Sequence, residues 1–454
     1  MDALIVIFIS GLISLFIAFA KKPALVLLTA VTGLVVAGAL LCVQWCTPYT
    51  IVSYEGLAFD HSNIGFCLLA IGFALLVIVS GYAYFKEELE HTGDYIALLL
   101  FSLTGAICML TFTDLFMFFL GLEILSIPIY VMAGSKKKDV RSSEAALKYF
   151  FTGAFATGIL LFGIAWLYGA TGSFKLDEIA AVIQNEETHS PLLYVGVLMI
   201  LSAFLFKVGA APFHFWSPDV YDGSPTIVTG FMAAVVKLAA FGAFLHLFST
   251  CFTGIHEFWA PALMGMAILT MFVGNLSALR QTRFKRLLAY SSITHVGYSL
   301  LTILVQNEFT QNNLLVYLFS YGFSIIALIT VALIVNDQED RMEAFKGLVY
   351  RNQFVGFAAI VALLSLAGVP PLVGFFGKYL VFSNAIGQYP VLVGLAILNS
   401  GIGIFYYLKL IIVIAQKPEA GEPASRISVP ALQWIVLAVC TLAILLGGNV
   451  ALLA

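Results

Sequence analysis

Charged side chains are scarce in this sequence of 454 residues: Lys, Arg, Asp and Glu make up 10% of it, while 61% of the residues are hydrophobic. A soluble protein of this length needs polar side chains to cover its exterior, so the composition excludes a soluble domain. The net charge is −3, and no region resembles a basic nucleic-acid-binding face. Apolar runs of about 20 residues recur, which is the length of a membrane-spanning helix. The sequence therefore predicts an all-α, polytopic membrane protein in a lipid bilayer, with no nucleic-acid partner.

Motifs that bind metals and cofactors are also missing. The six cysteines are scattered, without a Cys-x-x-Cys pair, a c-type haem motif or a Cys/His cluster. No histidine pair has the spacing of a b-type haem site, and no phosphate-binding loop is present. We therefore predict no metal site and no cofactor bound in this chain. The energy for any transport must then come from a partner or from an ion gradient.

The apolar runs divide the chain into about fourteen spans. The first run, MDALIVIFISGLISLFIAFAKK, carries its positive charges after the apolar stretch, so we interpret it as a span and not as a cleaved signal. The loops are too short for a further folded domain, and residues 1–454 form a single transmembrane domain. The predicted spans are 3–20, 23–43, 62–85, 95–112, 114–133, 148–170, 192–216, 225–250, 259–278, 287–305, 313–335, 353–382, 389–415 and 430–452.

The distribution of basic residues predicts the orientation of these spans. All but five of the 22 Lys and Arg residues lie in alternate loops, and the opposite set of loops contains only Lys175. Basic residues in short loops favour the cytoplasmic side of the membrane. Fourteen spans with this asymmetry place both termini on the outer side.

Several titratable residues lie inside the predicted spans. A lysine near the bilayer centre costs roughly 2.5–3.5 kcal/mol on insertion scales, so such residues are more often functional than accidental. Two alternatives stay open: Lys409 can extend its ammonium to the nearby interface, and His295 can serve as a hydrogen bond between helices. The candidate site residues are Glu123, Lys207, Lys237, His295, Lys378 and Lys409.

A mid-membrane glutamate and lysine can act together as a proton switch. Burial helps an ammonium to release its proton, and a nearby carboxylate helps it to keep the proton. Glu123 and Lys207 are the first candidates for such a pair, although they lie on different helices. The pattern favours an ion translocator, with the proton as its ion, over a purely structural membrane scaffold.

Helix breakers occur in two of the spans. Gly209 and Pro212 lie within span seven, and Gly368, Pro370 and Pro371 lie within span twelve. Proline removes a backbone donor and obstructs the helix one turn earlier. A broken membrane helix is tolerated only where its backbone faces protein or a water-filled cavity. We therefore predict that spans seven and twelve are both broken.

The two broken spans predict an inverted repeat. They are five spans apart and so run in opposite directions, which is typical of inverted-topology transporters. Residues 95–250 would form the first five-helix repeat and residues 259–415 the second. The three N-terminal spans (1–90) and the last span (430–452) lie outside them. In this pairing Glu123 corresponds to His295, and Lys237 corresponds to Lys409.

Four segments carry a resemblance to a known family. The block 206–241 is typical of antiporter-like membrane subunits, and LEILSIPIY favours one member of that group. Together the segments resemble the subunit N family of proton-pumping NADH:quinone oxidoreductase, the bacterial respiratory complex I, and the resemblance covers spans four to thirteen. The segments are LGLEILSIPIYVMAG (120–134), SSEAALKYFFTGAFATGILLFG (142–163), FKVGAAPFHFWSPDVYDGSPTIVTGFMAAVVKLAAF (206–241) and GNLSALRQTRFKRLLAYSSITHVGYSLL (274–301).

The resemblance implies a fold and a set of roles. It implies fourteen helices, two inverted five-helix units and both termini on the outer face of the bacterial inner membrane. Glu123 matches the glutamate that modulates the lysine of span seven, Lys207. Lys237 matches the central lysine and Lys378 the lysine that faces the outlet, while His295 matches a histidine in the same SSI-x-H context. Proton translocation through these residues would be coupled to quinone reduction in neighbouring subunits.

The resemblance also implies partners and leaves alternatives. NADH, FMN, iron–sulfur clusters and quinone are expected in other membrane-arm and peripheral-arm subunits. A lysine in span twelve argues against the sister subunit M, and the length argues against subunit L. The alternatives are a subunit of a multisubunit cation/proton antiporter, a subunit of a membrane-bound hydrogenase-type complex, and a stand-alone transporter.

Overall fold

A computed structural model describes residues 1–19, 21–47, 52–87, 91–185, 190–337, 339–417 and 426–451. Helices dominate these ranges, as the all-α prediction requires. One departure from it is a small antiparallel hairpin of the strands Val52–Tyr54 and Leu57–Phe59, in which Ser53 pairs with Ala58. It lies in the loop between spans two and three.

The helices follow the predicted spans closely. In the first half they are Asp2–Ala18, Pro23–Cys46, His61–Ser80, Tyr82–Glu87, Thr92–Thr111, Leu115–Ala133, Val140–Thr171, Leu176–Asn185, Pro191–Val208, Trp216–Gly223, Thr226–Phe231 and Lys237–Thr250, with the π-helix Met232–Val236 between the last two. In the second half they are His256–Ala278, Phe284–Leu304, Thr310–Val335, Leu348–Arg351, Gln353–Ala367, Val373–Ala385, Pro390–Ala415 and Ala431–Ala451, with 3₁₀ turns at Thr253–Ile255 and Met342–Phe345.

Most of these helices are suited to a membrane. Within the described residues, 12 helices are long and apolar enough to cross a bilayer. The multi-pass prediction is therefore confirmed. Two predicted spans, the first and the twelfth, contain the shorter apolar helices Asp2–Ala18 and Gln353–Ala367. The count of fourteen agrees with these helices but stays a prediction.

Some span limits were wrong. Span three ends at Ser80, and a separate short helix follows it. The helix of span six begins at Val140, eight residues before the predicted start, because the Asp139 carboxylate caps it by accepting a hydrogen bond from the Arg141 backbone N–H. Spans seven and twelve continue beyond their predicted ends to Gly223 and Ala385. Charged and polar residues therefore extend these helices past their apolar runs.

Each broken span leaves the helix at a glycine. Gly209 has φ 78° and Gly368 has φ 84°, a left-handed conformation that a side chain disfavours. The chain resumes as a helix at Trp216 after the first break and at Val373 after the second. Both interruptions lie in the segments in which the sequence places Gly-x-x-Pro.

The centre of the molecule is formed by spans eight and ten. In the apolar 18-residue stretch of Thr226–Thr250 all residues are buried, and in that of Phe284–Leu304 94% are buried. The corresponding stretches of Pro23–Cys46, Val140–Thr171 and Pro390–Ala415 are only 33% buried, and these helices form the periphery. Lys237 and His295 are therefore on the two most enclosed helices, far from the lipid-facing surface.

Spans four and five pack unusually closely. A Cβ atom added at Gly105 would lie 2.2 Å from the backbone nitrogen of Leu125 and 2.7 Å from the carbonyl oxygen of Gly121. The Ser102 hydroxyl donates to the Leu125 carbonyl at 2.7 Å across the same interface. Small residues allow this approach in membrane helices. The packing fixes the helix that carries Glu123.

We expect Gly105→Ala to destabilise the chain, because its methyl group would collide with backbone atoms that cannot move aside. Overpacking of this kind costs roughly 1–3 kcal/mol. Gly394→Ala is the matched control, since nothing lies within 4 Å of a Cβ atom at that position. Thermal unfolding of the purified protein in detergent measures the stability of both variants. Equal unfolding temperatures for the two variants would contradict the close packing of spans four and five.

Candidate functional site

Lys207 lies in the last turn of the helix Pro191–Val208, directly before the break in span seven. Its side chain is buried, with 5% of its surface exposed. The ammonium Nζ donates to the hydroxyl of Ser126, on span five, at 2.5 Å. The Ser126 hydroxyl in turn donates to the Leu122 carbonyl. The lysine therefore reaches across to span five instead of turning back to its own broken helix.

Glu123 lies one turn before Ser126 on the same helix but does not contact Lys207. Its carboxylate oxygen Oε1 accepts a hydrogen bond from the Thr157 hydroxyl at 2.8 Å. Among the described residues, the ion pairs within 4.0 Å do not include one between Glu123 and Lys207. A cavity of about 10 Å³ touches both Thr157 and Lys207, about the space of one water molecule. The carboxylate and the ammonium thus have different hydrogen-bond partners, Thr157 and Ser126.

We expect Ser126→Ala to weaken the predicted proton translocation severalfold, while the fold is retained. The substitution removes the hydrogen-bond acceptor of a buried ammonium, which costs about 1–3 kcal/mol. It also changes how the charge of Glu123 acts on Lys207. Substrate-driven acidification of membrane vesicles measures the effect, and Ser202→Ala is the control, since its exposed hydroxyl bonds only the Leu198 carbonyl. Equal activity in the two variants would show that Ser126 is dispensable.

The backbone opened at the first break has its own partners. The N–H of Ala211 donates to the Thr270 hydroxyl at 3.0 Å, and the indole N–H of Trp216 donates to the Phe206 carbonyl at 3.1 Å. These bonds satisfy groups that a continuous helix would have paired. The break is therefore held open by spans seven and nine themselves.

Lys237 occupies the centre of span eight. It directly follows the π-helix Met232–Val236, a rare distortion that is frequent at functional sites. Its Nζ donates to the carbonyl of Ser292 at 3.2 Å and to the hydroxyl of the same residue. The Tyr321 hydroxyl also donates to Ser292, at 2.7 Å. All of these partners are neutral.

His295 is held between two tyrosines. Its Nδ1 lies 2.6 Å from the Tyr317 hydroxyl, and its Nε2 lies 3.2 Å from the Tyr407 hydroxyl. A neutral imidazole has one donor and one acceptor nitrogen, so one tyrosine donates and the other accepts. The Tyr407 hydroxyl also bonds Ser291. This arrangement can exchange a proton at either nitrogen.

Lys378 turns back to the second break. Its Nζ donates to the carbonyl of Ala367 and to the hydroxyl of Ser400, both at 3.0 Å. The Ala367 carbonyl ends the first half of span twelve, so the break is what frees it for the lysine. The ammonium also lies 5.4 Å from the centre of the Tyr298 ring, at cation–π distance. In this span the break and the cation are in direct contact.

Lys409 is not part of this arrangement. It lies on the exposed face of the helix Pro390–Ala415. Its position in the sequence corresponds to that of Lys237, but its surroundings do not, because Lys237 is buried. Its exposure agrees with the alternative that its ammonium extends to the interface.

One face of span ten connects the buried groups. Ser292, His295 and Tyr298 are three residues apart, so they lie on the same side of the helix. Ser292 bonds Lys237, and the ring of Tyr298 lies under Lys378. His295 stands between them. The geometry brings Lys237, His295 and Lys378 together around a single helix, while Lys207 has a separate site on span five.

Sequence reasoning missed the neutral partners of these groups. The motifs LEILS and SSITH place serines one turn from the titratable residues, which is the one signal that points to them. The tyrosines and Ser400 have no such signal, because they come from distant spans. Within the described ranges, groups of three or more His, Cys, Asp or Glu that could hold a metal are absent. The missed residues are Ser126, Thr157, Ser292, Tyr317, Tyr407 and Ser400.

Comparison with known proteins places this arrangement in a family. Residues 113–403 match the family described as NADH:quinone oxidoreductase/Mrp antiporter, transmembrane. NADH-quinone oxidoreductase subunit N of Cytophaga hutchinsonii is 38% identical over 99% of this chain and 97% of that protein. The chain belongs to the NADH-quinone oxidoreductase subunit N family. The subunit N of Trichlorobacter lovleyi is also 38% identical, over 90% of this chain and 85% of that relative.

Solved structures agree with membership of the subunit N family. A chain of respiratory complex I from Thermus thermophilus with bound aureothin is 32% identical and has a TM-score of 0.81, covering 99% of this chain and 98% of that one. A chain of the Mrp complex from Dietzia superposes with a TM-score of 0.86 at 20% identity, covering 100% of this chain and 96% of that one. That second likeness shows the antiporter-like fold alone. The resemblance predicted from the sequence is confirmed.

Proposed function

We propose that this subunit N family member is a membrane-arm subunit of an NADH:quinone oxidoreductase and that it moves protons across the bacterial inner membrane. The proposed route comprises Lys207, Lys237, His295 and Lys378, with Glu123 as the modulating charge. Quinone reduction in partner subunits would supply the energy. The proposal includes both termini on the outer side and two inverted repeats at residues 95–250 and 259–415.

One observation carries this proposal: of the four buried lysines among the described residues, three are held by neutral groups. Lys207 bonds Ser126, Lys237 bonds Ser292, and Lys378 bonds a carbonyl and Ser400. A buried ammonium without a counter-ion is costly, whereas the neutral amine is not. Each lysine can therefore release its proton without leaving an uncompensated carboxylate behind.

Lys285 is a structural lysine and contrasts with these three. It is buried to the same degree, but its Nζ lies 3.0 Å from a carboxylate oxygen of Asp340 and donates to the Ser224 carbonyl at 2.9 Å. Such a pair is stable only while both charges are present. The chain thus uses a counter-ion where a buried lysine is structural, which supports a different role for the three uncompensated lysines.

The proposed steps follow from these contacts. A charge displaced in a neighbouring subunit acts on Glu123, and the charge of Glu123 acts in turn on Lys207. The proton held by Lys207 then passes inward to Lys237, along the face of span ten past His295, and out by way of Lys378. The redox groups, NADH, FMN, iron–sulfur clusters and quinone, belong to the partner subunits in this proposal.

Purification of the chain with its partners tests the proposal. A tagged chain should copurify with the other membrane-arm and peripheral-arm subunits. Membrane vesicles that contain it should acidify when NADH and quinone are supplied, and vesicles from a strain lacking it should not. Sodium-driven proton exchange without NADH oxidation would instead support the antiporter alternative. Copurification with hydrogenase subunits would support the hydrogenase-type alternative.

A further inference from the structure

The second half of span seven carries two aspartates that match two arginines of span ten. Asp219 and Asp222 are three residues apart on the short helix Trp216–Gly223. Arg283 and Arg286 are three residues apart at the start of the helix Phe284–Leu304. The Nη1 of Arg286 lies 2.7 Å from Oδ1 of Asp219, and the Nη1 of Arg283 contacts Oδ2 of Asp222. Two parallel ion pairs thus join the two helices.

Further charged contacts act at the same place. Lys148, on span six, lies 2.6 Å from Oδ2 of Asp219. Lys285, between the two arginines, donates to the carbonyl of Ser224 at 2.9 Å. The neighbouring charged groups that also act on Asp222 are Arg141, Lys285, Arg286 and Asp340. The short helix is therefore surrounded by cations from spans six and ten at its cytoplasmic end.

Other polar atoms of this segment lie outside the ion pairs. The hydroxyls of Ser217 and Ser224, Oδ1 of Asp222 and Nδ1 of His214 are buried but make no hydrogen bond within the described residues. Ser217 lies beside Gly209 at the break, where a Cβ atom would be 3.8 Å from its hydroxyl. The polar side chains of the segment are thus fastened by ion pairs at one end, and not by a hydrogen-bond network along its length.

Two cations hold Asp219 at once, because Lys148 contacts one of its carboxylate oxygens and Arg286 contacts the other. A single half-exposed ion pair contributes little stability. Two pairs in register instead define the distance and the rotation between the helices.

We infer that Asp219, Asp222, Arg283 and Arg286 are positioning residues that couple the second half of span seven to span ten. This inference rests on the proposed function. Span ten carries Ser292, His295 and Tyr298, and the coupled half-helix adjoins the break beside Lys207. A displacement at the Lys207 site then moves the span-ten face that holds the other proton-carrying groups, so the two sites change together.

Charge removal tests the coupling. We expect Asp219→Asn and Arg286→Gln each to lower the protons moved per NADH by at least about twofold, a typical effect for a residue that transmits coupling. The double variant should lower the number of protons moved per NADH no further than either single variant does, because the two residues act as one unit. Asp219→Glu, which keeps the charge, should restore the ratio. Lys175→Gln, in an exposed pair with Glu178 at 3.1 Å, is the matched control.

The outcomes separate this inference from the proposed function. If wild-type vesicles pump, Lys207→Ala vesicles do not, and Asp219→Asn keeps the full proton ratio, only the coupling is refuted. If wild-type vesicles do not pump, or Lys207→Ala pumps normally, the proposed function itself fails. Failure of every charge-removing variant to assemble would make the pairs purely structural and would overturn the inference.

Discussion

Lys207→Ala should give a complex that assembles and oxidises NADH with an artificial electron acceptor but no longer pumps protons. Removing a positioned acid–base group typically slows a reaction by ~10²–10⁴-fold, and we expect quinone-coupled pumping to fall by at least the lower figure. Assembly should survive because, within the described residues, the ammonium makes one hydrogen bond, to Ser126, and no ion pair. Its loss leaves a small cavity, and the Glu123 carboxylate keeps its hydrogen bond from Thr157.

Two other lysines make this test specific. Lys409→Ala removes an exposed membrane lysine, so pumping and stability should both stay at the wild-type level. Lys285→Ala removes a buried lysine that is paired with Asp340 at 3.0 Å, so assembly should suffer first, because an unpaired buried carboxylate remains. Acidification of vesicles and subunit content are measured side by side. Normal pumping by an assembled Lys207→Ala complex would refute the proposed role.

The broken helices could be predicted because their causes are local. Proline at positions 212, 370 and 371 excludes a regular helix whatever the surroundings are. Gly209 and Gly368 then provide the left-handed residue at which the helix ends. Composition and hydropathy similarly determine the membrane class, because the hydrocarbon core offers no water to the backbone and favours long apolar helices. These predictions need no knowledge of how helices pack.

The partners of the titratable groups could not be predicted, because they come from packing between helices. Glu123 and Lys207 were natural candidates for an ion pair, yet the carboxylate accepts from Thr157 and the ammonium donates to Ser126. Lys237 and Lys409 correspond in sequence position, but one faces the centre and the other the surface. The tyrosines around His295 belong to spans eleven and thirteen, and no spacing rule links them to it.

The two breaks therefore differ more than their sequences do. In span twelve Lys378 donates to the carbonyl that the break sets free, and Gly368 lies against its side chain, with a Cβ position 3.0 Å from Cδ. In span seven the corresponding backbone is satisfied by Thr270 and Trp216, and Lys207 points to span five. A similar motif is thus used in two ways. In span twelve the lysine bonds its own break, and in span seven it bonds a neighbouring helix.

Lys378→Arg is the sharper of the substitutions at the second break, and it should abolish pumping at some cost in stability, because the buried guanidinium has no counter-ion. Arginine keeps the positive charge and several donors for the Ala367 carbonyl, but it does not lose its proton in proteins. We expect pumping to fall by ~10²-fold or more, the effect of losing a group that must exchange its proton. Vesicle acidification and thermal unfolding measure the two properties separately.

Lys378→Met then distinguishes proton exchange from charge. It removes the donor of the Ala367 carbonyl as well as the proton, so it should lose pumping and also about 1–3 kcal/mol of stability. Ser400→Ala, which keeps the lysine and removes one of its two acceptors, should keep most of the pumping. If Lys378→Arg pumps normally and only Lys378→Met fails, the lysine is a fixed charge. Proton release at the second break would then have to occur at His295.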